Sequence, residues 1–366
     1  MTCCLYLTSG TRRVRLPGFA CLLRSCLRCE INVNVYCSLP VYLIEQQHQD
    51  LEQQPMATAG RDAEMLRQMV RSLIPPLCKS MHKGQAGRIG VVGGCKEYTG
   101  APYYAAISAL KLGADLSYVF SSEKAASVIK SYSPELIVVP LLDSVEHVER
   151  EMESWVERLH CLVVGPGLGR DPNMLAASER IIQIAKQHNK PLVIDADGLY
   201  LIGRSLDIIR GYENAILTPN AAEFHRLYNA AFHCAPNVTH LVASVQQLSR
   251  ELGNVSVVHK GEHDVLSNGT AVLVCSEEGS LRRCGGQGDV LAGCLGTFAY
   301  WSNIYHSSKP QMMNTLVNEY GPMLTAGYAA CTVTRACSKL AYLKRGRSMT
   351  GPNLVEEIQR AYDGLI

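Results

Sequence analysis

Residues 284–293 read Cys284-Gly285-Gly286-Gln287-Gly288-Asp289-Val290-Leu291-Ala292-Gly293. The glycines are followed by an aspartate and by apolar residues at helical spacing, which predicts a loop that turns into a helix. Glycines let backbone N–H groups converge on a ligand, and a helix N-terminus adds partial positive charge. The segment therefore predicts a phosphate-binding loop in which Asp289 can accept a proton from an attacking hydroxyl. A glycine-rich turn with an ordinary first-turn acid is the alternative.

Two cations, Arg282 and Arg283, directly precede this segment. Their guanidinium groups would suit a phosphate clamp, and a solvated basic face is the alternative. The glycines at Gly93-Gly94 are not followed by Gly-Lys-Ser/Thr, which argues against a P-loop. The run Gly165-Pro-Gly-Leu-Gly-Arg170 lacks the final glycine of a Rossmann fingerprint, so a dehydrogenase is disfavoured.

Composition indicates a globular protein with a sizeable core, since 47% of the 366 residues are hydrophobic and 19% are charged. The net charge of +2 gives no reason to expect a nucleic-acid or anionic-membrane partner. The longest apolar runs have the length of strands, which predicts a soluble protein without a membrane span. The odd number of cysteines, 15, favours free thiols in a reducing compartment.

Residues 1–55 differ from the rest of the chain, because no acidic residue precedes Glu30 whereas five arginines do. This composition predicts a mitochondrial targeting segment, and a poorly ordered extension is the alternative. Met56 is a second candidate start, which would leave a cytoplasmic protein. We therefore expect an N-terminal extension at 1–55 and one folded domain at 56–366.

Buried strands alternate with helical segments through most of the chain. Continuous apolar runs predict strands, and an Asn268-Gly269 turn predicts a hairpin that pairs with 272–274. This alternation predicts an α/β fold with a mainly parallel central sheet, covered by helices on both faces, and a small antiparallel edge. The predicted strands cover 89–94, 136–141, 162–164, 192–195, 215–217 and 255–260.

Ligands of such sheets bind at the carboxyl ends of strands, where this chain carries polar residues. Asp195 and Asp197 follow one strand and could be metal ligands or turn formers. Asn220 and Glu223 follow another strand. They could form a capping box at the start of the next helix, or hold Mg²⁺ over bound phosphate directly or through water.

Six segments in fixed order are more specific than any one of them: Lys83-Gly-Gln, Gly165–Arg170, Val193-Ile-Asp-Ala-Asp-Gly198, Thr218-Pro-Asn-x-x-Glu223, Lys260-Gly-x-x-Asp264 and Gly286-Gln-Gly-Asp289. The set resembles the ribokinase-like carbohydrate kinases, and more closely the eukaryotic ATP-dependent NAD(P)H-hydrate dehydratases. The resemblance covers residues 64–366. It implies a ribokinase-like fold.

The resemblance implies a metabolite-repair lyase. ATP, with Mg²⁺, would phosphorylate the hydroxyl on the ring of hydrated NADH or NADPH, and elimination of phosphate would restore the double bond. Water is a poor leaving group and phosphate is a good one, which is why ATP would be consumed. A homo-oligomer and a functional pairing with an NAD(P)HX epimerase would also be compatible with the family.

The resemblance also assigns roles to residues. Asp289 would be the catalytic base and a substrate contact, and Gly286, Gln287 and Gly288 would form the anion hole. Glu223 would be the Mg²⁺-linked acid. The hydrated dinucleotide would contact Gly167, Gly169, Asn220, Ala221, Ala222, Glu223, Phe224, His225 and Arg226. ATP would contact Lys260, Gly261, Glu262, His263, Asp264, Gly279, Ser280, Leu281, Arg282, Arg283, Cys284, Gly285, Gly286, Gln287 and Gly288.

Two rival functions share the fold. A small-molecule hydroxyl kinase would release a stable phosphorylated product, and a non-catalytic nucleotide-binding module would have lost the chemistry. The presence of Asp289 with an intact glycine loop (Gly286–Gly288) argues against the second.

Overall fold

The computed structural model describes residues 8–9, 12–13, 63–308 and 315–364. Two short strands, β1 (Thr8–Ser9) and β2 (Arg12–Arg13), pair antiparallel near the N-terminus. The domain boundary predicted at residues 55 and 56 lies outside the described residues, as does most of the predicted targeting segment. Within the described ranges, no helix is long and apolar enough to cross a membrane.

The domain is built on a nine-stranded sheet in the order β11-β10-β9-β8-β7-β6-β3-β4-β5. Strands β3 to β9 run parallel, and β10 and β11 complete one edge in antiparallel pairing. The strands are β3 (Arg88–Val92), β4 (Leu116–Ser121), β5 (Ile137–Pro140), β6 (Cys161–Val164), β7 (Leu192–Ile194), β8 (Ala215–Leu217), β9 (Ser256–His259), β10 (Asp264–Ser267) and β11 (Val272–Cys275).

Helices cover both faces of the sheet. They are α1 (Ala63–Ser72), α2 (Gly100–Leu112), α3 (Glu123–Tyr132), α4 (Val145–Arg158), α5 (Pro172–Gln187), α6 (Asp197–Arg204), α7 (Ala221–Phe232), α8 (Leu241–Glu251), α9 (Gln287–Ser308), α10 (Thr315–Tyr320), α11 (Pro322–Arg345), α12 (Gly351–Glu356) and α13 (Ile358–Asp363). Alternate strand residues point to opposite faces, so the apolar core has two halves. Val163 and Ile216 pack with α2, α9 and α11, whereas Val164 and Leu217 pack with helices α4 to α8.

The predicted fold class is confirmed, including the antiparallel edge and the helices on both faces. The sequence analysis missed β4, together with α3 and α4. Strand β4 has only a short continuous apolar run, because Ser117 interrupts it and Ser121 ends it, although both serines are buried.

Helix α9 packs unusually close to its neighbours because two glycines face them. A β-carbon built on Gly293 would lie 2.0 Å from the carbonyl oxygen of Ala105 in α2. A β-carbon built on Gly296 would lie 2.8 Å from Cγ2 of Val163 in β6. Backbone atoms cannot move aside as a flexible side chain can, so Gly293 is the tighter constraint. The N-terminus of α9, which carries Asp289, is positioned by this packing.

We expect Gly293→Ala to destabilise the domain by about 1–3 kcal/mol, because the added methyl group overpacks the contact with Ala105. Gly203→Ala in α6 is the matched control, since its β-carbon would lie 3.7 Å from Cδ2 of Leu227, an ordinary contact. That control should raise stability by up to about 1 kcal/mol through helix propensity. Urea unfolding midpoints measure both changes. Equal midpoints for the two variants would contradict the close packing of α9.

Candidate active site

The carboxyl edge of the parallel strands brings the predicted functional segments together. Asp195 follows β7, Thr218 follows β8 and Lys260 follows β9. The pairing of β8 with β9 continues beyond the strands, because Asn220 and Lys260 form a parallel bridge. Residues that are distant in the sequence therefore meet at one edge, at the position where open α/β sheets bind ligands.

A buried ion pair lies at the centre of this edge. Lys260 Nζ lies 2.7 Å from Asp195 Oδ1, with side chains that are 21% and 3% exposed. The Thr218 hydroxyl donates a hydrogen bond of 2.8 Å to the same carboxylate oxygen. The sequence suggested that Asp195 is a metal ligand or a turn former. Neither role includes its main contact, which is the ion pair with Lys260. An ion pair with a residue 65 positions away has no local signal in the sequence.

Asp289 lies in the first turn of α9, as predicted. Burial raises its pKa to about 7, and the negative charge of Asp195 adds to the increase while Lys260 opposes it. A carboxyl group with a pKa near neutrality can take a proton from a substrate and release it again at physiological pH. The environment of Asp289 therefore suits a general base.

The glycine loop lies beside the ion pair. Gly288 has an open side in the sense that a β-carbon would fit there without a clash, at ordinary contact distances of 3.6 Å from Lys260 Nζ and 3.7 Å from Asp195 Oδ2. Gly286 has a φ of +91°, and its β-carbon would lie 3.2 Å from both Gly351 Cα and the Tyr104 ring. A side chain at Gly286 would therefore be strained, whereas the space beside Gly288 is available to a ligand.

The Gln287 side chain has a structural role within the loop. Its amide donates to the carbonyl oxygen of Arg282 at 3.1 Å and to the hydroxyl of Ser338 at 3.2 Å. The Ser338 hydroxyl also lies 2.7 Å from that of Ser280. Helix α11 thus holds both ends of the 280–287 segment, and only the backbone of Gln287 is left for the predicted anion hole.

The residues predicted to contact ATP divide into two groups. Asp264 is buried, and both of its oxygens bind the Arg335 guanidinium, at 2.7 and 2.8 Å. It also accepts the N–H of Gly261, so its carboxylate fixes the turn after β9. The second group is exposed and includes Leu281, whose side chain is 93% exposed, with Arg282 and Arg283. The chain places these three residues directly before the glycine loop.

On the predicted substrate side, two loops pack against each other. The carbonyl oxygen of Gly167 accepts the N–H groups of Gly94 and Cys95, at 3.0 and 2.9 Å. The N–H of Gly169 donates to Asp197 Oδ2 at 3.0 Å. Asp197 therefore positions the loop that contains Gly169. This role differs from the two that the sequence suggested, a metal ligand or a turn former. The Lys83-Gly84-Gln85 segment precedes β3, so it lies at the amino ends of the parallel strands, away from the carboxyl ends where the other segments meet.

The segment 220–226 forms the start of α7. Asn220 and Glu223 make the predicted capping box, in which each side chain accepts the backbone N–H of the other at 3.0 and 2.8 Å. Phe224 is buried, with its ring 5.0 Å from that of His259, so its side chain belongs to the core. The other members are exposed and available to a ligand: Ala221, Ala222, His225 and Arg226.

Three carboxylates surround the Lys260 ammonium. Burial alone would lower the pKa of Lys260, but the charges of Asp195, Glu223 and Asp289 raise it above its usual value. Burial raises the pKa of Glu223, and Lys260 opposes that increase. In the described part of the chain, no three His, Cys, Asp or Glu residues are grouped closely enough to hold a metal ion. Mg²⁺ commonly uses one or two carboxylates together with water and phosphate oxygens, so Glu223 still fits that ion.

Tyr104 is a site residue that the sequence analysis missed. Its ring lies beside Gly286, where a β-carbon would come within 3.2 Å of it. Burial raises the pKa of its hydroxyl, with a contribution from the charge of Asp289. It lies within an Ala-rich helical segment that carries no motif. The contact between α2 and the glycine loop arises only from the packing of α2 against α9.

Comparison with known proteins gives consistent results. A family model described as NAD(P)H-hydrate dehydratase matches residues 89–360. The chain is 52% identical over 305 residues to the human ATP-dependent (S)-NAD(P)H-hydrate dehydratase, covering 83% of this chain and 86% of the relative. The enzyme of the same name from Danio rerio is 51% identical over 297 residues, covering 81% and 88%.

Solved structures share the fold at low identity. A ribokinase-like superfamily protein from Enterococcus faecalis has a TM-score of 0.63 at 19% identity, covering 82% of this chain and 94% of that one. The ADP/ATP-dependent NAD(P)H-hydrate dehydratase from Bacillus subtilis, co-crystallised with ATP and Mg²⁺, has a TM-score of 0.58 at 17% identity, covering 82% and 97%. The family model spans most of the chain and the relatives share more than half of the aligned residues, so this protein belongs to the NAD(P)H-hydrate dehydratase family.

Proposed function

We infer that the protein is an enzyme that uses ATP to dehydrate NAD(P)H-hydrate to NAD(P)H, with ADP and phosphate as the other products. The observation that carries the proposal is Asp289, a carboxyl group with a pKa raised to about 7 at the N-terminus of α9. It lies beside the Lys260–Asp195 pair and the open side of Gly288. The human and Danio rerio relatives are both named as ATP-dependent (S)-NAD(P)H-hydrate dehydratases, which supports the same reaction.

The reaction has two steps. Asp289 takes the proton of the ring hydroxyl, and the oxygen forms a bond to the γ-phosphorus of ATP while the bond to ADP breaks. The carbon–oxygen bond of the new phosphate ester then breaks, with both electrons leaving on phosphate. Loss of a proton from the neighbouring carbon restores the ring double bond.

The residues around Asp289 supply the charge stabilisation that phosphoryl transfer requires. Backbone N–H groups of the glycine loop would bind the transferred phosphoryl group at the positive end of α9. Lys260 adds a full positive charge, and Arg282 and Arg283 are close in sequence to the same loop. Mg²⁺, which Glu223 would hold through water, neutralises phosphate charge when it is bound.

The proposal extends to location and partners. The Arg-rich, acid-poor residues 1–55 favour a mitochondrial location, and initiation at Met56 would give a cytoplasmic form. The names of the relatives specify the S form of the hydrate, so an NAD(P)HX epimerase that interconverts the two forms is the expected functional partner. Assembly as a homo-oligomer stays a prediction.

The proposal is tested with the full chain, hydrated NADH, Mg²⁺ and ATP. We expect the absorbance of reduced nicotinamide to return, with one phosphate released per NADH formed. Asp289→Asn should lower the rate by about 10²–10⁴-fold while ATP still binds, because the variant cannot accept the proton.

In the assay of the wild-type protein, a stable phosphorylated product without NADH recovery would instead support the small-molecule kinase. Near-normal turnover in the variant would remove Asp289 from the mechanism.

Gly288→Ala tests the position of the transferred phosphoryl group. The added methyl group clashes with no protein atom, so we expect unchanged or slightly higher thermal stability. It fills the space beside Lys260, so turnover should fall by about 10²-fold. Gly286→Ala should behave differently and lose stability, because of its positive φ and its contact with Tyr104. Full activity in Gly288→Ala would show that the phosphoryl group binds elsewhere.

Glu223→Gln tests the Mg²⁺ assignment. Glutamine still accepts the N–H of Asn220, so the start of α7 is kept while the negative charge is removed. We expect the Mg²⁺ concentration for half-maximal rate to rise about tenfold, since one unit of charge is lost near the ion. Glu223→Ala should in addition lose about 1 kcal/mol of stability with the cap. An unchanged Mg²⁺ dependence in Glu223→Gln would exclude this residue.

A further inference from the structure

We propose that Asp195 is a positioning residue for the reaction, and that its buried carboxylate fixes the Lys260 ammonium beside the open side of Gly288. The inference rests on the proposed phosphoryl transfer and adds a residue to it. Asp195 Oδ1 accepts both Lys260 and Thr218, at 2.7 and 2.8 Å. A β-carbon on Gly288 would lie 3.6 Å from Lys260 Nζ and 3.7 Å from Asp195 Oδ2, so the ammonium and the carboxylate that binds it both lie beside the glycine loop.

The backbone around Asp195 is held in one conformation. A β-carbon on Gly165 would lie 1.8 Å from the carbonyl oxygen of Asp195, and one on Gly198 would lie 2.5 Å from that of Val164. Ala196, between the two aspartates, has a φ of +48° and a ψ of −120°. This conformation is unfavourable for alanine, and such strain is typical of sites where the surrounding structure fixes a functional group.

The side chain of Asp195 is held as firmly as its backbone. Thr218 is fully buried, and its hydroxyl also lies 3.2 Å from the carbonyl oxygen of Ile194. Lysine is a flexible side chain with three donors, and without an acceptor its ammonium would sample many positions. A misplacement of about 1 Å can cost about 10²-fold in rate. A fixed carboxylate behind Lys260 prevents that misplacement.

Asp195 also acts on Asp289 through charge. The charged and titratable groups that face Asp289 are Asp195 and Lys260 from the strand ends, with Tyr104 from α2. Glu223 faces Lys260 from α7, and Cys284 faces Tyr104 from the loop before α9. Burial contributes most to the raised pKa of Asp289, and Asp195 is the next largest cause. Removing the Asp195 charge would therefore lower that pKa.

The test is a cycle of Asp195→Asn, Lys260→Gln and the double variant, assayed for ADP release and for NADH recovery. We expect Asp195→Asn to lower kcat by about 10²-fold and to change the KM for ATP less. The cycle is assayed at a pH above the acid limb, where Asp289 is ionised in every variant, so that the effect of Asp195 on the Asp289 pKa does not contribute. If Asp195 then acts through Lys260, the double variant will be no slower than Lys260→Gln alone. If the rate losses of the two single variants instead multiply in the double variant, the inference is wrong.

The pH profile of Asp195→Asn separates this role from a structural one. Removal of the carboxylate should move the acid limb of kcat/KM to lower pH, since Asp289 then ionises more readily. Asp115→Asn is the matched control, because Asp115 accepts two backbone N–H groups at 2.8 Å at the other edge of the sheet. It should lower stability without moving the acid limb. An acid limb that stays in place in Asp195→Asn would overturn the inference.

Two further outcomes are distinguishable. Recovery of the Asp195→Asn rate at high Mg²⁺ would identify Asp195 as a metal ligand and overturn the positioning role. ADP release without NADH recovery in the wild-type protein would contradict the dehydratase instead. The cycle would then be evaluated on ADP release alone. The role of Asp195 can therefore be tested even if the proposed dehydratase function is wrong.

Discussion

The close approach of α9 to α2 and the sheet is the constraint on which the active site depends. Gly293 and Gly296 remove the side chains that would otherwise separate these elements. The helix therefore lies directly against β6, and its first turn reaches the edge where β7, β8 and β9 end. A wider separation would carry Asp289 and the glycine loop away from Lys260, so the carboxyl group proposed as the base would no longer lie near the cation proposed to bind phosphate.

The balance of charge around Lys260 follows from this packing. Three carboxylates, Asp195, Glu223 and Asp289, influence one ammonium group. Burial raises the pKa values of Asp289 and Glu223, and the negative charge of Asp195 adds to both increases. Asp195 is the member with the closest contact to Lys260. One acid thus stays paired while another is kept ready to exchange a proton, which is how neighbouring carboxyl groups divide acid and base roles.

Local patterns in the sequence predicted much of the fold and part of the site. Apolar runs predicted strands β3 and β5 to β9, and the Asn268-Gly269 turn predicted the antiparallel hairpin. The segment from Asn220 to Glu223 predicted the capping box. Contacts between distant segments were not predictable. The Asp195–Lys260 pair, the bond of Gln287 to Ser338 and the position of Tyr104 each depend on how helices and strands pack. The same limit explains Phe224, whose buried side chain could not be inferred from its position in a functional segment.

Helix α9 also runs from the carboxyl ends of the parallel strands towards their amino ends. It has 22 residues, so at 1.5 Å per residue it is about 33 Å long. About two thirds of the way along the helix, Trp301 donates to the carbonyl oxygen of Ala86 at 2.7 Å, and Tyr300 donates to that of Gln85 at 3.1 Å. The loop that receives these bonds is itself fixed by Asp115. One helix therefore links the loop before β3, at the amino ends of the strands, to the carboxyl ends where Asp195 and Lys260 lie, so the two ends of the sheet are mechanically connected.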